Sequence, residues 1–118
     1  MYKRQDYLGA LRWRTALAQE QALVLRKVDA FITAAALNVA DRADPNLPDR
    51  LVSVPSTTMP FSVGGLPALA IPCGYSSREG LPLSLQIAAA PFAEGLVLRI
   101  AHAYQEATDW HRRHPNLA

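Results

Sequence analysis

At 118 residues, with twelve Lys and Arg against ten Asp and Glu for a net charge of +2, this is one domain's worth of protein or a piece of a larger one. Half of the residues are hydrophobic and 19% are charged, proportions that exclude a fibrous or disordered chain. A compact fold of this length buries roughly 65% of the surface its unfolded chain exposes, so a core needs no metal or disulfide to hold it.

The cations stand in small separated groups (Lys3-Arg4, Arg12 with Arg14, Arg26-Lys27, Arg112-Arg113) and do not gather into the patch that neutralising several phosphates requires. Nucleic acid is therefore not an expected partner. Cys73 is the only cysteine, which excludes an intrachain disulfide and a cysteine-based metal site, and fits a reducing, cytoplasmic setting. The cations of the N-terminus are not followed by the apolar run of a secretory signal, and no uncharged apolar stretch reaches the roughly 18 residues of a membrane span. A soluble protein without a membrane partner is expected.

From about Lys3 to Asp29 there is no proline and one glycine. Leu8, Leu11, Thr15, Ala18, Ala22 and Leu25 recur at helical spacing, and a second row, Ala10, Leu17, Val24 and Val28, lies about 120° away. Two apolar rows call for two neighbours, which points to a helix inside a larger body. Ala30 to Leu37 reads as a short buried strand, although its alanines would also suit a helix. From Asn38 to Pro60, Asp41, Asp44, Pro45, Pro48, Asp49 and Pro55 break every periodicity, giving a loop of unusual length.

Pro67–Cys73 and Leu83–Ala89 read as two antiparallel strands joined by the turn Gly74–Gly80. Pro72 cannot donate to a ladder, so it belongs at a strand end, a bulge or an edge. Phe92–Thr108 is predicted helical, with Leu96, Ile100, Ala103 and Ala107 on its inner face, and Asp109–Ala118 a polar tail.

Few residues invite a chemical reading. His111 and His114 have no third or fourth ligand nearby and read as cations at a helix end. His102, beside Ile100 and Ala101, reads as a partly buried helix residue. Cys73 reads as buried and inert, and Ser76-Ser77 as a solvated turn, since no Gly-x-Ser-x-Gly elbow is present. The most informative stretch is Thr57 to Ala68, where prolines and paired glycines hold an irregular backbone just before a strand, able to line a pocket.

Taken in order, Thr58-Met-Pro-Phe-Ser-Val-Gly-Gly-Leu-Pro-Ala68, Ile71-Pro-Cys-Gly74, Gly80-Leu-Pro-Leu-Ser-Leu-Gln86, Pro91-Phe-Ala-Glu94 and Ala103-Tyr-Gln-Glu-Ala-Thr-Asp-Trp-His111 resemble the C-terminal region of the amidase-signature family. The helix from Tyr7 to Asp29 running into Ala30-Phe-Ile-Thr33 resembles that family's helix and strand as well. Departures are Ser62 where asparagine is usual, Ser84 where glycine is usual, Thr33-Ala-Ala-Ala in place of a Thr-Pro-Thr strand end, and no acidic residue at Pro55-Ser56-Thr57.

The resemblance implies an α/β fold class: the C-terminal part of the amidase-signature fold, with a long N-terminal helix, three or so strands of a mixed sheet and a C-terminal helix. It makes residues 1–118 an incomplete segment, from a truncated, split or partly sequenced gene, whose N-terminal catalytic half is absent. The family hydrolyses amide bonds through a Ser–cis-Ser–Lys triad, without a cofactor, and an unactivated serine is a weak nucleophile. Here the only lysines are Lys3 and Lys27, and no Gly-Gly-Ser-Ser-Gly-Gly-like stretch occurs, so no catalytic residue is assigned. Thr58, Phe61 and Ser62 are the candidates for a substrate-pocket wall, the ligand in the full enzyme being a small-molecule amide. The alternatives are a non-enzymatic module that pairs with itself or with an N-terminal half, and part of the A subunit of a tRNA-dependent amidotransferase. The Trp110-His111 ending fits general amidases better.

Overall fold

The computed structural model describes residues 3–40 and 56–114. Helix α1 (Arg4–Val24) is followed by strand β1 (Ala30–Ala34), short helix α2 (Met59–Gly64), strands β2 (Ala68–Tyr75) and β3 (Pro82–Ala89), helix α3 (Glu94–Ala107) and a 3-10 turn, Trp110–Arg112. The expected α/β class with its long first helix, three strands and last helix is what the structure has.

β3 is the central strand of a sheet ordered β1-β3-β2, and both of its pairings are antiparallel. The short turn between β2 and β3 leaves no crossover, so a hairpin is the only pairing open to them. Phe31, Ala88 and Ala68 share one row across the sheet, and Thr33, Gln86 and Ala70 the next. The register of β2 shifts between Pro72 and Gly74, so the proline sits at a bulge on an edge strand, as its missing donor requires.

One face of the sheet is closed by α3. Ile71, Ile87, Ala89, Val97 and Ala101 are buried together, with Leu69, Leu85, Ile100 and Tyr104 packed around them. Ile87 is 1% exposed, and burying such a side chain is worth about 1.5–3 kcal/mol. The Tyr104 hydroxyl donates to the Cys73 carbonyl (3.4 Å), tying α3 to the bulge. Of the predicted inner face, Leu96 and Ile100 pack against this core alongside Val97, Ala101 and Tyr104, while Ala103 and Ala107 are exposed. A helix this rich in alanine has apolar positions all round, and contact with the sheet selects the face.

The opposite face of the sheet meets α2 through the Phe31–Phe61 ring pair, and α1 packs chiefly on α2. The Lys3 backbone N–H donates to the Asp6 carboxylate (2.8 Å), which fixes the first turn of α1 and places an acid where the helix dipole favours it. The helix stops at Val24, short of the predicted Asp29, because Lys27 N–H turns back to the Val24 carbonyl (2.8 Å). Its contact stripe is Arg14, Leu17, Ala18, Gln21 and Leu25, where Gln21 alone is buried. Both predicted apolar rows therefore stay largely uncovered: Leu8, Leu11, Val24 and Val28 are exposed, and Trp13 is 79% exposed.

β1 corrects the expectation of a buried strand. It ends at Ala34, short of Leu37, and lies at the sheet edge with Ile32 64% exposed. The predicted loop over 38–60 falls, for residues 41–55, outside the described residues, and its last two residues are helical.

Candidate functional site

The segment that the sequence singled out folds into α2, where an irregular backbone was expected. Pro60 sits in the first turn, where its missing N–H is no loss, and the Met59 N–H donates to Ser56 Oγ (3.2 Å). Gly65 ends the helix at φ +75°, a conformation that side chains disfavour. The Leu66 N–H reaches the Phe61 carbonyl (3.0 Å) and the Gly65 N–H the Ser62 carbonyl (3.3 Å), a Schellman ending. The prolines and glycines are thus the start and stop signals of one short helix.

The three candidate wall residues do not share one surface. Thr58 and Ser62 lie one turn apart, joined by donation from Ser62 Oγ to the Thr58 carbonyl (3.4 Å), and Thr58 Oγ1 shares a proton with Ser56 Oγ (2.9 Å). Ser62 is exposed and Thr58 half-buried. Phe61 turns inward, 7% exposed, with its ring 5.5 Å from that of Phe31. It anchors the helix to β1, behind the two hydroxyls.

Sequence reasoning missed the residues that hold α2 in place. Gln21 Nε2 donates to the Pro60 carbonyl (2.9 Å) and Arg14 Nε to the Val63 carbonyl (3.0 Å). A Cβ on Gly64 would run into the Gln21 carboxamide, so a larger residue there would require that side chain to shift. The available signal was a lone glutamine between apolar rows, together with a Gly-Gly pair.

The sheet face that carries Phe31 also holds a polar pair. Gln86, 5% exposed, and its cross-strand partner Thr33 carry a buried Oε1 and a buried Oγ1, neither with a hydrogen-bond partner among the described residues. A buried acceptor without a donor is unfavourable by about 1–3 kcal/mol, so such a pair marks a place built for further contacts. Gln21 Oε1 and Thr57 Oγ1 are in the same condition.

The remaining candidates fall elsewhere. Cys73 is half-buried at the bulge, not buried as expected, and lines an open cleft of about 410 Å³ with Thr33 and Ser84. His102 is exposed, where partial burial was expected, because it lies on the outer side of α3. Ser76 Oγ accepts from the Arg78 and Glu79 N–H groups (3.3 and 3.2 Å) and bonds the Glu79 carboxylate, the pattern of a turn. Of the predicted polar tail, the described residues 109–114 pack back on the body. Trp110 sits 6.2 Å from Tyr75, Arg113 lies 4.2 Å above the Trp110 ring, and Asp109 holds that guanidinium at 3.1 Å. Among the described residues no three His, Cys, Asp or Glu side chains gather to hold a metal. No described helix is long and apolar enough to cross a membrane.

The ordered motifs, the long helix leading into β1 and the hairpin with its bulge together define a member of a known class. The family model described as Amidase matches residues 1–98, and the chain belongs to that family. It is 39% identical over 113 residues to the A subunit of glutamyl-tRNA(Gln) amidotransferase from Moorella thermoacetica, spanning 94% of this chain and 23% of that protein. The corresponding A subunit from Chloroflexus aggregans is likewise 39% identical, over 95% of this chain and 23% of its own length. The crystal structure of the Thermotoga maritima A subunit superposes with a TM-score of 0.75 at 30% identity, covering 86% of this chain and 22% of that one. The chain thus spans 23% of the length of the Moorella relative.

Proposed function

We propose that this chain is the C-terminal part of an amide-hydrolysing enzyme, to which it contributes a pocket wall and sheet but none of the catalytic groups. The observation that supports this reading is the asymmetry of the sheet. The sheet face on which Phe31 meets Phe61 also carries Thr33 and Gln86, whose oxygens have no hydrogen-bond partner among the described residues. Thr58 and Ser62 contact a small-molecule amide, and Phe61 positions them by its packing on Phe31. The nucleophilic serine, the bridging serine and the lysine lie on sequence other than these 118 residues.

The test is a chimera in which this chain replaces the matched segment of the Moorella relative. Ammonia release from simple amides is expected from the chimera, and none from the 118-residue chain by itself. Hydrolysis by the isolated chain, or its covalent labelling by a serine-directed amidase probe, would sink the reading. Within an active chimera, Thr58→Val and Ser62→Ala should raise KM by about tenfold with kcat little changed, the signature of lost uniform binding.

The relatives' names support a finer reading, that the parent protein is the A subunit of an amidotransferase. Amide transfer on addition of the Moorella partner proteins, above hydrolysis alone, would separate it from a general amidase. The exposed apolar rows of α1 also support pairing with a further protein body.

A further inference from the structure

The turn that carries the chain from β3 into α3 holds a side chain that its backbone does not favour. The Ala93 N–H donates to the Ala90 carbonyl (3.0 Å), closing a β-turn with Pro91 and Phe92 at its centre. Proline fixes a negative φ at the first central position, and Phe92 has φ +64° at the second, which makes this a type II turn. That second position suits glycine or asparagine, because a Cβ in the left-handed region crowds the neighbouring carbonyl oxygen. Among the described residues Phe92 is the only non-glycine with a positive φ.

The ring returns nothing to this chain. Phe92 is 93% exposed, so burial offsets none of the strain. The turn is nevertheless fixed at both ends. Ala89 is fully buried in the sheet, and Ala93 packs against the core, where its carbonyl accepts from the Leu96 and Val97 N–H groups (3.0 and 3.2 Å). A strained residue held from two rigid elements is the arrangement of a functional position, where the geometry is maintained for what the side chain contacts.

Phe92 stands at the end of the sheet where the candidate site lies. The Ala89 N–H donates to the Pro67 carbonyl (3.2 Å), and Pro67 comes just after the Gly65 cap of α2. The Pro91-Phe92 turn therefore leaves the sheet at the end where α2, with Thr58 and Ser62, joins it. Two hydroxyls can orient a polar amide but offer no surface to the rest of a substrate, and ligand sites are lined mostly by apolar and aromatic groups. Phe61 does not supply that surface, because its ring is turned inward against Phe31.

We propose that Phe92 is a specificity-determining residue of the amide site, its ring receiving the apolar acyl group of the substrate. This rests on the reading of the chain as part of an amide-hydrolysing enzyme. The turn then trades stability for specificity: glycine would relax the backbone and lose the ring.

Substitution in the Moorella chimera tests this with two amides, benzamide, whose acyl group is a ring, and acetamide, whose acyl group is a methyl. Phe92→Ala should raise KM for benzamide about tenfold and change it less than about twofold for acetamide. Phe92→Leu should fall between. Phe92→Gly should repeat the KM pattern of Phe92→Ala while leaving the urea midpoint unchanged or higher, because glycine takes the left-handed conformation freely. Equal changes for the two amides, no change in either, or activity confined to acetamide would overturn the proposal. So would a lowered midpoint in Phe92→Gly, which would show the ring packed inside the parent protein. A chimera that hydrolyses both amides and is indifferent to Phe92 defeats this proposal alone; one inactive toward every amide defeats the enzymatic reading and this proposal with it. Should the Moorella chimera fail to fold, the same substitutions enter a chimera built on the Chloroflexus relative.

Discussion

The two faces of the sheet follow opposite rules. Against α3, Ile71, Ile87, Ala89, Val97 and Ala101 form a dry cluster that supplies its own contacts. Against α2, the burial is carried by one aromatic pair, Phe31 with Phe61, and by Gln21 and Gln86, whose carboxamide oxygens are unpaired among the described residues. The first face is a finished core. The second mixes buried Ala88 with the polar pair Thr33 and Gln86, and α1 is held to the body through α2. The difference teaches where stability and function separate: close packing needs only apolar shape, whereas polar groups stay buried and unpaired only where other contacts complete them.

Substitutions can break or sharpen this contrast. The largest effect belongs to the finished face. Ile87→Ala removes the most buried large side chain and should lower unfolding free energy by about 2–5 kcal/mol in urea titrations. A loss under about 1 kcal/mol would mean that α3 does not close a core.

Gly64→Ala comes next, at about 1–3 kcal/mol, because the new methyl meets the Gln21 carboxamide. In a Gln21→Ala background that penalty should fall by at least about 0.5 kcal/mol, which a double-mutant cycle reads directly. Additive losses would show that the close approach of α1 to α2 is not what the glycine serves.

Arg113→Ala should cost about 0.5–1 kcal/mol through the lost stacking on Trp110, with a shift in tryptophan emission as the independent readout. The smallest effect is expected at Trp13→Ser, within about 0.5 kcal/mol for the chain alone, since that side chain touches little. In the chimera the same substitution should be far more damaging. Equal and negligible effects in both would leave α1 a solvated helix and remove the contrast.

Much of the fold was legible in the sequence because local chemistry specifies it. The spacing of apolar residues through α1, the Ser76–Gly80 turn between β2 and β3 and the restriction that Pro72 places on a ladder all act within a few residues of where they are read. The inner face of α3 was read half correctly, with Leu96 and Ile100 inward but Ala103 and Ala107 in place of Val97 and Ala101, since overlapping stripes are offered and only the sheet chooses. α2 was taken for irregular backbone because proline and glycine signal breaks. They were in fact its first turn and its cap.

The candidate site shows the same division. Thr58, Phe61 and Ser62 drew notice as one motif, yet the short helix sets the two hydroxyls a turn apart and sends the ring inside. Arg14 and Gln21, far away in the chain, hold that helix through its backbone carbonyls, which carry no side-chain signature to read.

By itself the sequence determined the family, the succession of long helix, three strands and last helix, and the pair of apolar rows on α1 that asks for neighbours, because motifs and periodicity are properties of adjacent residues. Only the tertiary structure decided which strands lie at the sheet edges and which face carries the polar pair. Those depend on ladder alternation and on which strands lie side by side, and a hydrogen bond such as Ala35 to Ser84 joins residues that no local pattern connects.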